Sequence, residues 1–209
     1  MNLLDKIMIK NNSDKGVDQN NYCRYYHFFL KDVKEEYKKV MEIGVWKGGS
    51  TRSWKEYFPN AHIFGIDIME ECLDLIEDRI SIHIGDQNNP EFLKEVAQTG
   101  VSFTEKSLFD MIIDDGSHRM SSMKISFDTL FPYVKSGGYY IVEDLTVCYP
   151  EPRYKEYKDA GNFIMIDYLK GLVDDVNKSG FTNYHGKYPL AEQIDSIFFG
   201  QWICFIKKK

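Results

Sequence analysis

Paired cysteines are missing from this chain. Cys23, Cys72, Cys148 and Cys204 stand far apart with no CxxC among them, which argues against a zinc site and for reduced thiols rather than a disulfide framework. Long apolar runs are missing too. No stretch approaches the roughly 20 residues of a membrane span, and charges interrupt the N-terminus (MNLLDKIMIKNNSDKG) too early for a secretory signal. A cytoplasmic location is therefore expected. There is also no basic excess. The formal net charge is −6, whereas a general nucleic-acid binder presents a basic face to phosphates. The closing Lys207 to Lys209 read as a solvated terminus. With no repeats and no low-complexity linker, residues 1–209 are expected to form one domain, long enough to bury a core.

What is present is a rhythm. The first twenty residues are polar and poorly periodic. From Asn21 to Lys38 the positions Tyr22, Tyr25, Tyr26, Phe29, Val33 and Tyr37 recur at three or four, which predicts a helix. Short apolar runs at 39–45, 62–68, 79–85, 109–115 and 139–145 read as strands, with helices over 50–58, 70–78, 90–98 and 120–134 between them. Such alternation implies right-handed crossovers and a parallel sheet covered on both faces. The end of the chain breaks the pattern. After a helix at 162–178, IDSIFFG (194–200) and WICFIKK (202–208) follow with almost nothing between them. So short a link joins antiparallel strands, and Gly200 is the residue expected to take a positive φ. The predicted fold is an α/β three-layer sandwich whose mostly parallel, seven-stranded, Rossmann-like sheet ends in an antiparallel hairpin.

A dinucleotide fingerprint is another absence. The first strand leads into MEIGVWKGGSTRSW (41–54), where Trp46 occupies the place of the second glycine of GxGxxG. That bulk counts against a pyrophosphate and is compatible with a cofactor lacking phosphate. Gly44 permits close approach, and Ser50 with Thr51 suits the start of the next helix. A tight turn with no ligand remains the plain alternative. The second strand ends GIDI, placing Asp67 and Ile68 at its carboxyl edge, where an acid accepts from ribose hydroxyls. The third ends IGDQ, placing Asp86 and Gln87 beside the same crevice, where they would read an adenine edge. Three polar strand ends on one edge describe an adenosine site.

Strand four ends in Asp114 and Asp115, and strand five in Glu143 and Asp144. If the two are sheet neighbours, their ends lie about 5 Å apart, and like charges that close raise one another's pKa. A hard divalent cation relieves the crowding, and oxygen donors suit Mg²⁺, Mn²⁺ or Ca²⁺. Pairing with Arg119 or Lys124 is the competing account, and Asp114 is open to facing the cofactor instead. His118 follows Asp115 by three residues, and an imidazole beside a metal-bound hydroxyl suits a general base.

These stretches carry a resemblance. EIGVWKGGS, GIDI, GDQ, IDDGSH and GGYYIVEDL resemble class I S-adenosylmethionine-dependent methyltransferases. Within them the chain is similar to the metal-dependent sugar O-methyltransferases of the mycinamicin and rhamnosyl-tetracenomycin type, over roughly residues 14 to 206. The resemblance implies that Asp115, Glu143 and Asp144 hold Mg²⁺ and that His118 is the base. It implies that S-adenosylmethionine is bound by Glu42, Gly44, Ser50, Asp67, Ile68, Asp86, Gln87 and Asp114. Glu42 and Trp46 would favour the cationic donor. Residues 1–38 would form a cap segment and helix, and 146–162 a substrate lid or a plain surface loop. The partner implied is a small-molecule sugar: a nucleotide-activated or polysaccharide-precursor sugar (capsule or lipopolysaccharide), or a glycosylated natural product. No nucleic acid and no membrane span are expected, and a homo-oligomer is left open. Two rivals stay in view, a catechol-type O-methyltransferase and a non-enzymatic nucleotide-binding module. An NAD-dependent oxidoreductase shares the first half of the fold but has no use for the acidic ends of strands four and five.

Overall fold

Each short apolar run that ends in an acid becomes a strand. The computed structural model describes residues 1–99, 108–151, 163–178 and 185–209. Seven strands lie in one sheet in the order β3-β2-β1-β4-β5-β7-β6, numbered along the chain. Its contacts group into two compact units, Met1–Asp86 and Gln87–Lys209.

In the first unit β1 (Lys39–Ile43), β2 (His62–Asp67) and β3 (Ile80–Ile84) pair in parallel, with Ile43 opposite Ile66 and Asp67 opposite Ile84. β-Branched residues suit a pleated, packed surface, and Val40, Ile43, Ile63, Ile66 and Ile80 are all buried here. Two helices flank these strands, α2 (Cys23–Leu30) and α3 (Gly49–Tyr57). They meet through the buried Tyr26 and Trp54, whose rings sit edge to face at 4.8 Å. The N-terminus, polar and poorly periodic in sequence, holds a helix that the pattern did not predict. Leu3–Lys10 forms α1, closed by a reciprocal capping box between Asn2 and Asp5, and it buries Leu4, Ile7 and Met8. A capped two-turn helix is too short for its period to stand out in sequence.

Two other expectations shrink. The helix expected over 21–38 ends at Leu30, where the apolar positions thin into the charged run Lys31 to Lys38. The one expected over 70–78 is only a 3₁₀ segment, Glu70–Leu75. Acids at 70, 74 and 78 would stack four apart in an α-helix and repel.

In the second unit α4 (Pro90–Gln98) forms where expected, with Asn89 accepting from the Glu91 and Phe92 amides and Pro90 in the first turn. β4 (Phe109–Asp114) is buried at all six positions and pairs in parallel with β5 (Val134–Val142), with Ile113 opposite Ile141 and Asp114 opposite Val142. α5 (Met120–Leu130) and α6 (Met165–Val176) flank them, and Phe127 of α5 meets Tyr140 edge-on at 5.2 Å. β5 pairs antiparallel with β7 (Ile203–Lys208), and β7 with β6 (Ile194–Gly200). The terminal hairpin is therefore as expected, but its positive φ is not. Trp202 takes it (φ 66°), and Gly200 does not. Among the described residues no helix is long and apolar enough to cross a membrane.

Candidate active site

In the first unit the residues expected to bind a cofactor lie around the carboxyl ends of β1 and β2. Gly44, at φ 90°, turns the chain out of β1 while its N–H still donates to Ile66 O at 2.8 Å. Gly49 opens α3 with no room for a side chain, because a Cβ there would meet Asn11 O at 2.9 Å. The N-terminal segment thus runs against the start of α3.

Glu42 is fully buried. Its Oε2 accepts from the Thr51 hydroxyl at 2.5 Å and its Oε1 from the Trp54 indole N–H at 3.0 Å. Glu42, expected beside the cofactor, ties α3 to β1 through these two bonds. Ser50 lies almost buried in the first turn of α3. Asp67 faces the loop. Its Oδ2 accepts from the Val45 and Trp46 amides, each at 2.8 Å, and its Oδ1 from Met69 N–H at 2.9 Å. Burial alone would raise its pKa, but backbone donors from Trp46, Met69, Val45 and Ile68 outweigh that and hold it below the ordinary carboxylate value. Asp67 therefore stays ionised. Around it Trp46 and Ile68 are 62% and 69% exposed, and Asp86 is exposed as well.

The second unit holds the acidic constellation. Asp115, His118 and Asp144 bring one ligand atom each within 4.8 Å of one another. His118 Nδ1 lies 3.6 Å from Asp144 Oδ2. Both residues have left-handed backbones, φ 55° at His118 and φ 53° at Asp144, a region disfavoured for side-chain-bearing residues and common at functional sites. Magnesium binds donors at about 2.0–2.1 Å in an octahedron, which sets donors roughly 3 Å apart in cis and about 4.2 Å in trans. Within this group the carboxylates of Asp115 and Asp144 are the oxygen donors that suit such an ion. Glu143, whose N–H donates to Asp114 O at 3.1 Å, is buried and is not in this group.

Asp114 is not in it either. It is fully enclosed, with Oδ2 accepting from the Tyr140 hydroxyl at 3.1 Å and Oδ1 3.4 Å from the Gln87 amide nitrogen. Burial raises its pKa to about 6, against the bonds from Tyr140, the Gly116 amide and Gln87. The four carboxylates therefore do not all crowd around one point. Strand alternation turns Asp114 into the core, and the chain leaves the strand with Asp115.

Gln87, expected to read an adenine edge, is tied into the second unit. Its side chain is buried, its Nε2 donates to Ser126 Oγ at 3.0 Å, and its Oε1 accepts from Ser117 N–H at 2.6 Å. It fastens the DDGSH loop to the core. Sequence reasoning missed the support of Tyr140 and Ser126, although Tyr140 lies in the alternating run GGYYIVEDL that ends in the acidic pair. Lys124, a rival partner for the carboxylates, pairs with Asp128 instead. Of the segment expected as a lid, 146–162, residues 152–162 lie outside the described residues.

A family model described as a methyltransferase domain matches residues 41–145, from β1 to just past Asp144. The L-olivosyl-oleandolide 3-O-methyltransferase of Streptomyces antibioticus is 32% identical over 83% of the chain and 46% of its own length. The mycinamicin VI 2''-O-methyltransferase of Micromonospora griseorubida is 39% identical over 61% of the chain and 32% of its own length. The solved structure of the MycE methyltransferase of mycinamycin biosynthesis, in complex with Mg, SAH and mycinamycin VI, superposes with a TM-score of 0.83 at 29% identity. The match covers 98% of this chain and 53% of that one. The chain spans about half the length, or less, of these curated relatives. With half of its residues inside the matched region and the seven-stranded sheet in place, the chain belongs to the class I methyltransferase family.

Proposed function

We propose that this protein is an S-adenosylmethionine-dependent, magnesium-dependent O-methyltransferase acting on a sugar hydroxyl, with residues 1–209 as one methyltransferase domain. The acceptor is a nucleotide-activated or polysaccharide-precursor sugar, or the sugar of a glycosylated natural product. The observation that carries the reading is the convergence of Asp115, His118 and Asp144 within 4.8 Å. Two carboxylates and an imidazole at the ends of adjoining strands suit ion-assisted deprotonation of an alcohol. Relatives named as sugar O-methyltransferases support it, as does the MycE structure with Mg and SAH.

In this reading Asp115 and Asp144 hold the ion, and Glu143 supports them from the buried side. When bound, the ion lowers the pKa of the acceptor hydroxyl as it lowers that of bound water. His118 takes the hydroxyl proton, with Nε2 as the accepting atom because Nδ1 is turned towards Asp144. Asp67, kept ionised by the loop amides, accepts from the ribose hydroxyls of the donor. Ile68 packs on its adenine, and Asp86 lies at the same edge. Gly44 and Ser50 leave room for the donor's methionine end, and the exposed face of Trp46 favours the sulfonium. Holding both reactants in line accounts for much of the rate.

The test is formation of S-adenosylhomocysteine from S-adenosylmethionine, scored against glycosides, sugar nucleotides and catechols, with and without EDTA. Turnover on a sugar that EDTA abolishes and Mg²⁺ restores is expected. Turnover confined to catechols, or indifferent to EDTA, overturns the proposal.

A further inference from the structure

A cleft of about 650 Å³ opens immediately beyond Asp144. That size is in the range of small-molecule sites, and none of its lining residues has a role in the chemistry above. We propose that it is a pyranose-binding subsite. The acceptor is then a neutral glycan of at least two rings, with the methylated sugar at the ion and its neighbour in the cleft. The proposal rests on the sugar-methyltransferase reading and narrows its substrate.

Position is the first argument. Leu145, the residue after Asp144, lines the cleft, and its N–H donates to Trp202 O at 2.9 Å. The turn of the terminal hairpin is thereby tied to the residue beside the ion-binding group. Backbone conformation is the second. Trp202 sits at φ 66°, a region that bulky side chains avoid, in the two-residue turn between Gly200 and its strand partner Ile203. Strain of this kind at a partly exposed indole points to use of that indole.

The lining chemistry is the third argument. Tyr149, Phe199 and Trp202 supply aromatic surface, with Tyr149 46% exposed and Phe199 37% exposed. The C–H face of a pyranose carries partial positive charge and stacks on the negative face of an aromatic ring. Thr146, Glu151 and Lys170 stand among the rings as donors and acceptors for hydroxyls.

The same residues disfavour a sugar nucleotide. A pyrophosphate is held by converging cations or by free amides at a helix N-terminus. Among the described lining residues Lys170 is the one cation, it shares the cleft with Glu151, and its ammonium lies 5.8 Å from the Tyr149 ring. Ile166 brings the start of α6 to the cleft, but the first amides there are engaged. Met165 N–H points at Met120 Sδ (3.4 Å) and Ile166 N–H at Cys148 O (3.0 Å). Asp167 adds negative charge in that first turn. The cleft is built for an uncharged ligand.

Binding is tested on the full chain without methyl donor, by saturation-transfer NMR with a panel of neutral methyl disaccharides and with UDP-glucose as competitor. Saturation of disaccharide C–H protons is expected, at least tenfold weaker binding in Tyr149→Ala and Trp202→Ala, and no displacement by UDP-glucose. Thermal melting identifies any variant that fails to fold, and Trp202→Phe keeps an aromatic face should Trp202→Ala be lost. Equal binding by wild type and a folded Tyr149→Ala variant, or displacement by UDP-glucose, overturns the subsite. Turnover separates this proposal from the one it rests on. If disaccharides bind and never yield S-adenosylhomocysteine, the subsite stands and the proposed function fails. If turnover occurs but the disaccharide-to-monosaccharide ratio of kcat/KM is the same in wild type and the variants, the function stands and the subsite fails.

Discussion

His118 lies on the DDGSH loop, Gln87 fastens that loop through Ser117, and the two do different work. His118 faces Asp144 across 3.6 Å with its side chain partly exposed, the placement of a group that handles a proton. His118→Ala is expected to cut kcat by 10²–10⁴-fold, the usual worth of a general base. S-adenosylmethionine affinity, read by calorimetric titration, is expected to stay within about twofold, because the donor residues lie elsewhere. Full activity in that variant would remove the base assignment. Gln87 touches neither reactant in this reading. It joins Ser117 N–H, Ser126 and Asp114, so Gln87→Leu leaves buried polar groups without their partner. A loss of about 1–3 kcal/mol is expected from urea unfolding, with activity falling further than stability as the DDGSH loop loses its tether. The motif letters singled out His118 as an imidazole three residues after paired acids, and its role as base is what that variant tests. They could not tell Asp114 from Asp115, since strand alternation decides which of two adjacent carboxylates turns inward.

At the scale of the elements, the edge pair β2 and β3 carries a pH dependence unrelated to catalysis. His62 bonds Ser81 at 2.8 Å, and His83 stacks on Phe64 with its Nε2 buried and lacking a hydrogen-bond partner. Burial lowers the pKa of both from 6.5; Asp78 opposes this at His62, while Lys39 and Arg79 add to it, and His62 adds to it at His83. A base with a lowered folded pKa binds fewer protons folded than unfolded between that value and 6.5. Its stabilising contribution is complete above pH 6.5 and drains away as the pH falls through the lowered pKa. Urea unfolding of His83→Phe is expected to show a smaller loss between pH 7 and pH 5 than wild type does. An unchanged loss would place the acid sensitivity elsewhere. Elements with β-branched interiors and acidic ends were readable from the pattern alone. β5 was only half readable: it starts at Val134 rather than Tyr139, because Gly137 at φ 79° and a register shift against β4 disguise its first half as a turn. The α1 helix escaped because its capping box and three buried side chains act over two turns only.

For the whole molecule the mostly parallel sheet and the terminal hairpin followed from alternation and from one very short link, which is why the fold was legible in outline, while the strand order came only with the structure. The support behind the site was not, because Tyr140, Ser126 and Gln87 meet only through strand pairing and helix packing. Ligand linkage gives the test at this scale. An ion that binds the folded chain alone stabilises it by RT ln(1 + [L]/Kd), about 2.7 kcal/mol at a hundredfold excess over Kd. Adding Mg²⁺ at that excess is expected to raise the Tm of wild type by several degrees and to leave Asp144→Asn and Asp115→Asn unmoved. Equal shifts in all three would place the ion away from these carboxylates.

The left-handed turns at positions 118 and 144 have a further implication for anyone improving this protein. Glycine is the residue most at ease there, so selection for heat resistance that ignores turnover would drift towards glycine at both places and return sturdy, inert proteins. Durability and chemistry compete for the same two backbone angles, and a stabilisation campaign should hold those positions fixed from the outset.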